Sequence, residues 1–198
     1  MKITAAKLGL LAAGLLVATL ILFDAPQALA QQYSTPQPAA LTTVPAEVVA
    51  LDECDPTTFN ANPPDGVGPE FCKNIALGYS TTLPDLFTEA EEGTPDPNWD
   101  FEPDTITIPY GKPLIVVNQG GEPHTFTEVK QFGGGFIPGL NAPGEDTVPE
   151  CQGGFSKVSV AKTRILQGSQ IEITGLSRGV HHFECCIHPW MRMTVIVK

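Results

Sequence analysis

The chain has 198 residues, of which 17% are charged, and a formal net charge of −11. Nucleic acid and anionic lipid are excluded as main partners, because both demand a basic surface. The acidity fits a cationic protein partner, whose opposite field speeds encounter, and it equally keeps an exported protein soluble.

At the N-terminus, Lys2 and Lys7 give a positive start, Leu8 to Phe23 is an apolar run of 16 residues, and Ala28-Leu29-Ala30 offers small residues for cleavage. This is the pattern of an export signal over 1–30. The run is shorter than the roughly 20 residues of a spanning helix, so cleavage after Ala30 is expected, leaving no stable membrane span. Without Lys2, Lys7 and Asp24 the mature chain keeps 9 basic and 21 acidic residues, a formal charge of −12. Its expected location is the periplasm or the exterior.

Residues 31–50 carry Pro36, Pro38 and Pro45 among Ala, Thr and Gln and read as a flexible leader. Residues 51–103 read as an irregular extension that packs on the C-terminal half of the chain, with a short helix around Leu86 to Glu91. From Asp104 to the end the pattern becomes short β-rich runs separated by Gly and Pro turns. Candidate strands are Thr105 to Ile108, Leu114 to Val117, Thr125 to Lys130, Lys157 to Val160, Gln170 to Thr174, Val180 to Cys185 and Met193 to Val197. Such a series predicts an all-β sandwich over 104–198. Gln131 to Gly154 is a glycine-rich insertion, read as a surface loop pinned by Cys151. No Lys-Ser or Lys-Thr follows its glycines, which excludes a phosphate-binding loop.

The C-terminal run Cys185-Cys186-Ile187-His188-Pro189-Trp190-Met191 places a thiol, an imidazole and a thioether within seven residues, and His124 supplies a second imidazole upstream. Soft sulfur combined with imidazole suits copper, and two His with one Cys and a weak axial Met is the donor set of a blue-copper centre. Structural zinc has no use for the Met. A c-type haem needs Cys-x-x-Cys-His, which Cys-Cys-Ile-His does not provide. On an extended strand His181, Phe183 and Cys185 share one face, and His182, Glu184 and Cys186 the other. Two adjacent thiols therefore do not grip one ion, His181 is expected in the core, and His182 in solvent. Five cysteines are an odd number for an exported chain, and giving Cys185 to a metal removes the oddness. The other four allow three pairings, of which Cys54 with Cys72 and Cys151 with Cys186 is favoured by position along the chain.

These residues resemble the cupredoxins of the amicyanin and pseudoazurin type. The matching positions are Asn118, Pro123-His124, and His181-x-Phe183-x-Cys185-x-x-His188-Pro189-Trp190-Met191. The resemblance covers about residues 104 to 198 and implies a Greek-key β-sandwich of seven or eight strands with His124, Cys185, His188 and Met191 holding one copper ion. Met193 stands at the alternative His-x4-Met spacing of plastocyanin-like loops. Where the family places an Asn after the first His, this chain has Thr125, whose hydroxyl can brace the Cys loop. The resemblance also implies that His188 is the edge nearest solvent. The implied function is that of a monomeric one-electron carrier between redox partner proteins, not an enzyme; the alternative is a copper-delivery protein of the same fold.

Overall fold

In the computed structural model, the described residues are 45–73 and 80–198, so the export signal and residues 31–44 of the leader lie outside them. Strand formation follows the period-2 pattern. In the last strand Met193, Val195 and Val197 are buried while Arg192, Thr194 and Ile196 are only half so. In chain order the elements are β1 (Ala46–Leu51), α1 (Pro56–Phe59), α2 (Leu83–Glu92), β2 (Asp100–Glu102), β3 (Thr105–Ile108), β4 (Leu114–Asn118), β5 (His124–Thr125), β6 (Thr127–Val129), α3 (Val158–Lys162), β7 (Arg164–Ile165), β8 (Gln170–Ile173), β9 (Gly179–Glu184) and β10 (Arg192–Val197).

Two four-stranded sheets form, in the orders β2-β1-β4-β8 and β3-β10-β9-β6, with β5 and β7 as a short extra pair. Parallel pairing of β1 with β4 and of β3 with β10, among otherwise antiparallel neighbours, is the signature of Greek-key crossovers between the sheets. The fold is thus the all-β sandwich expected. Its core brings Val48, Ala50, Leu114 and Val116 of one sheet against Phe183, Met193, Val195 and Val197 of the other. Phe126 stacks on Phe183 with centroids 4.3 Å apart and meets Phe101 edge-on at 5.1 Å.

Several elements depart from the sequence reading. β1 falls in the last residues of the stretch read as leader, and β2 in the stretch read as irregular, so the sandwich recruits strands from ahead of residue 104. Pro45 sits just before β1, a position where a missing N–H is harmless. Lys157 to Val160, expected as a strand, is instead the N-cap and first three residues of α3, because alternation over four residues does not separate a strand from one helical turn. The run from Thr125 to Lys130 is broken at Phe126, whose N–H goes to the Thr163 carbonyl while its neighbours pair with different strands. The expected helix is longer at its start, since the Thr82 hydroxyl caps it by accepting from the Asp85 N–H, and it ends at Gly93 in a left-handed conformation.

A second cluster lies outside the sandwich core, in which Phe59, Leu86, Ala90 and Trp99 pack around the Cys54–Cys72 disulfide and against Leu140 of the insertion. The second disulfide joins Cys151 to Cys186. It pins the insertion to the residue after Cys185, and Gly135 lies so close beneath that a Cβ there would stand 2.2 Å from the Cys186 carbonyl oxygen.

Candidate metal centre

His124 stands in β5, while Cys185 and His188 lie in the turn between β9 and β10. Strand β9 delivers Cys185 inward. Its neighbour Glu184 faces the insertion, where the Gly133 N–H donates to it at 3.1 Å and burial pushes its carboxyl up to about 8. The turn is closed by two backbone bonds, Cys185 N–H to Met191 carbonyl and Met191 N–H to His188 carbonyl, each 3.0 Å. Pro189 suits this bend because its fixed φ favours a turn.

The Cys185 Sγ stands 3.8 Å from His124 Nδ1 and 3.9 Å from His188 Nδ1, and the two nitrogens are 3.4 Å apart. Among the described residues these three form the one group of His, Cys and acidic side chains with atoms placed to hold a metal ion, and all are buried. The fit can be tested by construction. Metal–N bonds of about 2.0 Å and a metal–S bond of about 2.3 Å, set about 120° apart, put N and S about 3.7 Å apart and the two N about 3.5 Å apart. The observed triangle matches within a few tenths of an ångström. Cys185 is the one free cysteine among the described residues.

The electrostatics call for a cation at the same point. Burial pushes the Cys185 thiol up, but the two imidazoles outweigh it and hold the thiol well below its usual range. Burial likewise lowers His124, yet its bonds to Asp52 and Cys185 lift it to about 10. His188 is raised against burial in the same way, by Cys185 and Glu122. A thiolate between two imidazoles that would otherwise hold protons is a site where a metal ion can supply the positive charge.

The two methionines among the described residues, Met191 and Met193, are both fully buried in the sandwich core. Met191 belongs to the turn itself, tied by its backbone to Cys185 and His188. Met193 belongs to β10 and faces inward with Val195 and Val197. Thr125 acts twice on the thiol's surroundings. Its N–H donates to Cys185 Sγ at 3.4 Å, and its hydroxyl accepts from the Cys186 N–H at 2.7 Å. Asn118 ties the loop ahead of His124, donating to the carbonyls of Glu122 at 2.6 Å and Ile165 at 3.0 Å.

Two carboxylates escaped the sequence reading. Asp52 receives His124 Nε2 at 2.8 Å and the N–H groups of Gly121 and Glu122 at 2.9 and 3.0 Å. Burial raises its carboxyl, but these donors prevail and hold it below its usual range. A Cβ on Gly120 would stand 1.8 Å from the Asp52 Oδ2, so only glycine leaves room for this approach. Glu122 stands 3.2 Å from His188 Nε2. Such carboxylate–histidine pairs orient a ligand ring and raise its basicity. Glu122 was readable as an acid beside Pro123-His124; Asp52, 72 residues from His124, gave no local signal.

His188 is not the solvent edge that the sequence reading expected. It is 1% exposed, with Trp99 packed edge-on at 4.8 Å and Trp190 tilted at 5.5 Å. Trp99 comes from the stretch read as an irregular extension, and Trp190 from the turn itself. His181, expected in the core, sits near the exposed start of β9, bonded to Glu128 at 2.6 Å and the Ser177 carbonyl at 2.8 Å. His182, expected in solvent, is half-buried against Phe132.

No family model matches the sequence, and no curated protein matches it either. Solved structures similar to this chain include a purple cupredoxin, a plastocyanin and an amicyanin. A purple cupredoxin from Nitrosopumilus maritimus is 13% identical at a TM-score of 0.39, covering 77% of this chain and 99% of its own. Oxidized plastocyanin from Dryopteris crassirhizoma is 16% identical at 0.37, over 77% and 100%. A Cu(I) amicyanin variant is 16% identical at 0.32, over 50% of this chain and 73% of that one.

Proposed function

We propose that the chain is an exported, mononuclear type 1 copper protein that carries single electrons between partner proteins and is not itself an enzyme. The observation that carries this reading is the triangle of His124 Nδ1, Cys185 Sγ and His188 Nδ1, with edges of 3.8, 3.9 and 3.4 Å. Met191 completes the set as the weak axial donor, with Met193 left to core packing. Bound copper supplies a one-electron Cu(I)/Cu(II) couple, whose potential answers to the axial ligand and to hydrogen bonds at the sulfur. The chain's own part is to hold the donors still. Parallel β1 and β4 anchor Asp52 and Asn118, the disulfide at Cys186 ties down the ligand turn, and full burial excludes water.

Electrons enter and leave through the indoles around His188, with half-buried Trp190 as the edge offered to a partner. The mature chain's formal charge of −12 favours a cationic partner surface. Two disulfides fit an oxidising compartment, the periplasm or the exterior, where the protein acts as a monomer. No described helix is long and apolar enough to cross a membrane. Copper delivery is the weaker alternative, because handing over an ion requires ligand exchange with a partner, and here all ligands are buried.

The deciding measurement is the visible and EPR spectrum of the copper-loaded chain. An intense thiolate-to-copper band that vanishes in Cys185→Ser is expected. A wild-type protein without the band, or a variant that keeps it, would overturn the reading.

A further inference from the structure

A cavity of about 350 Å³ reaches Glu122 and His188 from outside the metal centre. Phe59, Phe71 and Phe87 are among its walls, and Glu122 and His188 are its only polar lining side chains among the described residues. Val67 and Phe87, 42% and 40% exposed, mark its opening to solvent. The size falls within the range of small-molecule sites, roughly 300–1,000 Å³, which are typically apolar with one or two placed polar groups.

Glu122 is the feature that a packing role leaves unexplained. Its Oε2 meets His188, while its Oε1 is buried with no hydrogen-bond partner among the described residues. A buried carboxylate oxygen without a donor is costly. We propose that this cavity is a binding site for a small phenol, whose ring lies among the phenylalanines and whose hydroxyl donates to Glu122 Oε1. The ring matches the aromatic walls. The single neutral donor matches the single unpartnered acceptor, and it avoids the desolvation that a cationic ammonium would suffer in an apolar chamber. A molecule so seated stands beside the ring of His188. The site goes beyond electron exchange with proteins and adds a small-molecule ligand to the same centre.

The test is calorimetric titration of 4-methylphenol and of its methyl ether, 4-methylanisole, into the full chain, both metal-free and loaded with Cu(I). The metal-free arm reads the cavity alone, so its outcome is separate from that of the copper spectrum. The phenol is expected to bind at least about tenfold more tightly than the ether, which fills the same space without a donor. Glu122→Leu is expected to bring the two affinities together. Val67→Trp, a change at the exposed mouth that leaves the metal centre untouched, is expected to abolish binding of both. Equal affinity for phenol and ether in the wild type, no binding of the phenol, or phenol binding that survives Val67→Trp would each overturn the proposal.

Discussion

His124 and His188 face the same sulfur, and each turns its Nε2 to a buried carboxylate, yet their surroundings differ. On the His124 side Asp52 receives four donors, from the His124 ring and the N–H groups of Cys54, Gly121 and Glu122, and lies against strands paired in register. On the His188 side Glu122 has one contact, an empty second oxygen and a cavity next to it. Their carboxyls end on opposite sides of the usual range. Burial raises both, but donors bring Asp52 below its usual range while Glu122 stays above. A buried carboxylate is a rigid brace only when both its oxygens are satisfied. One flank of the site is therefore fixed by the fold and the other is left adjustable.

Asp52→Ala strikes the fixed flank and carries the largest expected effect. It strips the acceptor from four buried donors, one of them the His124 ring, so a loss of about 3–5 kcal/mol is expected in denaturant unfolding. Competition against a chelator should show copper affinity down about 10–100-fold. Retained stability together with retained affinity would remove Asp52 from its bracing role.

The double variant Cys54→Ser, Cys72→Ser separates the cover from the ligands. The bridge spans 18 residues, for which chain entropy gives about 3 kcal/mol. Unfolding should register that loss and Trp99 fluorescence should shift toward that of a wetter indole, while the visible copper band persists. Disappearance of the band would mean that the extension shapes the triangle as well as covering it.

The sequence disclosed what was local and hid what was tertiary. Cys185 and His188 are legible because they stand three residues apart in one turn, and His124 because few histidines compete with it; the fold brings these three together. The two disulfides followed from the odd cysteine count and chain position. Asp52 was invisible, since nothing in its neighbourhood points 72 residues ahead. β1 was masked by the proline-rich composition before it. The cover over His188 was unreadable for a different reason: Trp99 and Phe59 look like any buried aromatics until the chain places them.

Glu122→Gln sharpens the contrast from the adjustable side. The amide oxygen can still accept from His188 Nε2, and the empty position on Glu122 gives up no existing bond. Stability is expected to change by no more than about 1 kcal/mol, and the reduction potential to rise, because a negative charge near the metal favours Cu(II). A destabilisation as large as that of Asp52→Ala would show Glu122 to be equally structural.

The smallest effect concerns a histidine outside the centre and serves as its control. His181 is bonded to Glu128, whose side chain is 52% exposed, and that bond raises the His181 pKa. A raised histidine stabilises the fold where the unfolded state is also protonated, below about pH 6.5, and the contribution disappears as pH climbs through the folded value. His181→Gln should therefore lower stability more at about pH 5.5 than at about pH 9. Solvent screening limits the difference to a few tenths of a kcal/mol. Denaturant midpoints at the two pH values read it directly, with the copper band unchanged in both. A larger loss at the higher pH would mean that His181 holds β9 as a neutral ring, through its bond to the Ser177 carbonyl rather than through the charge on Glu128.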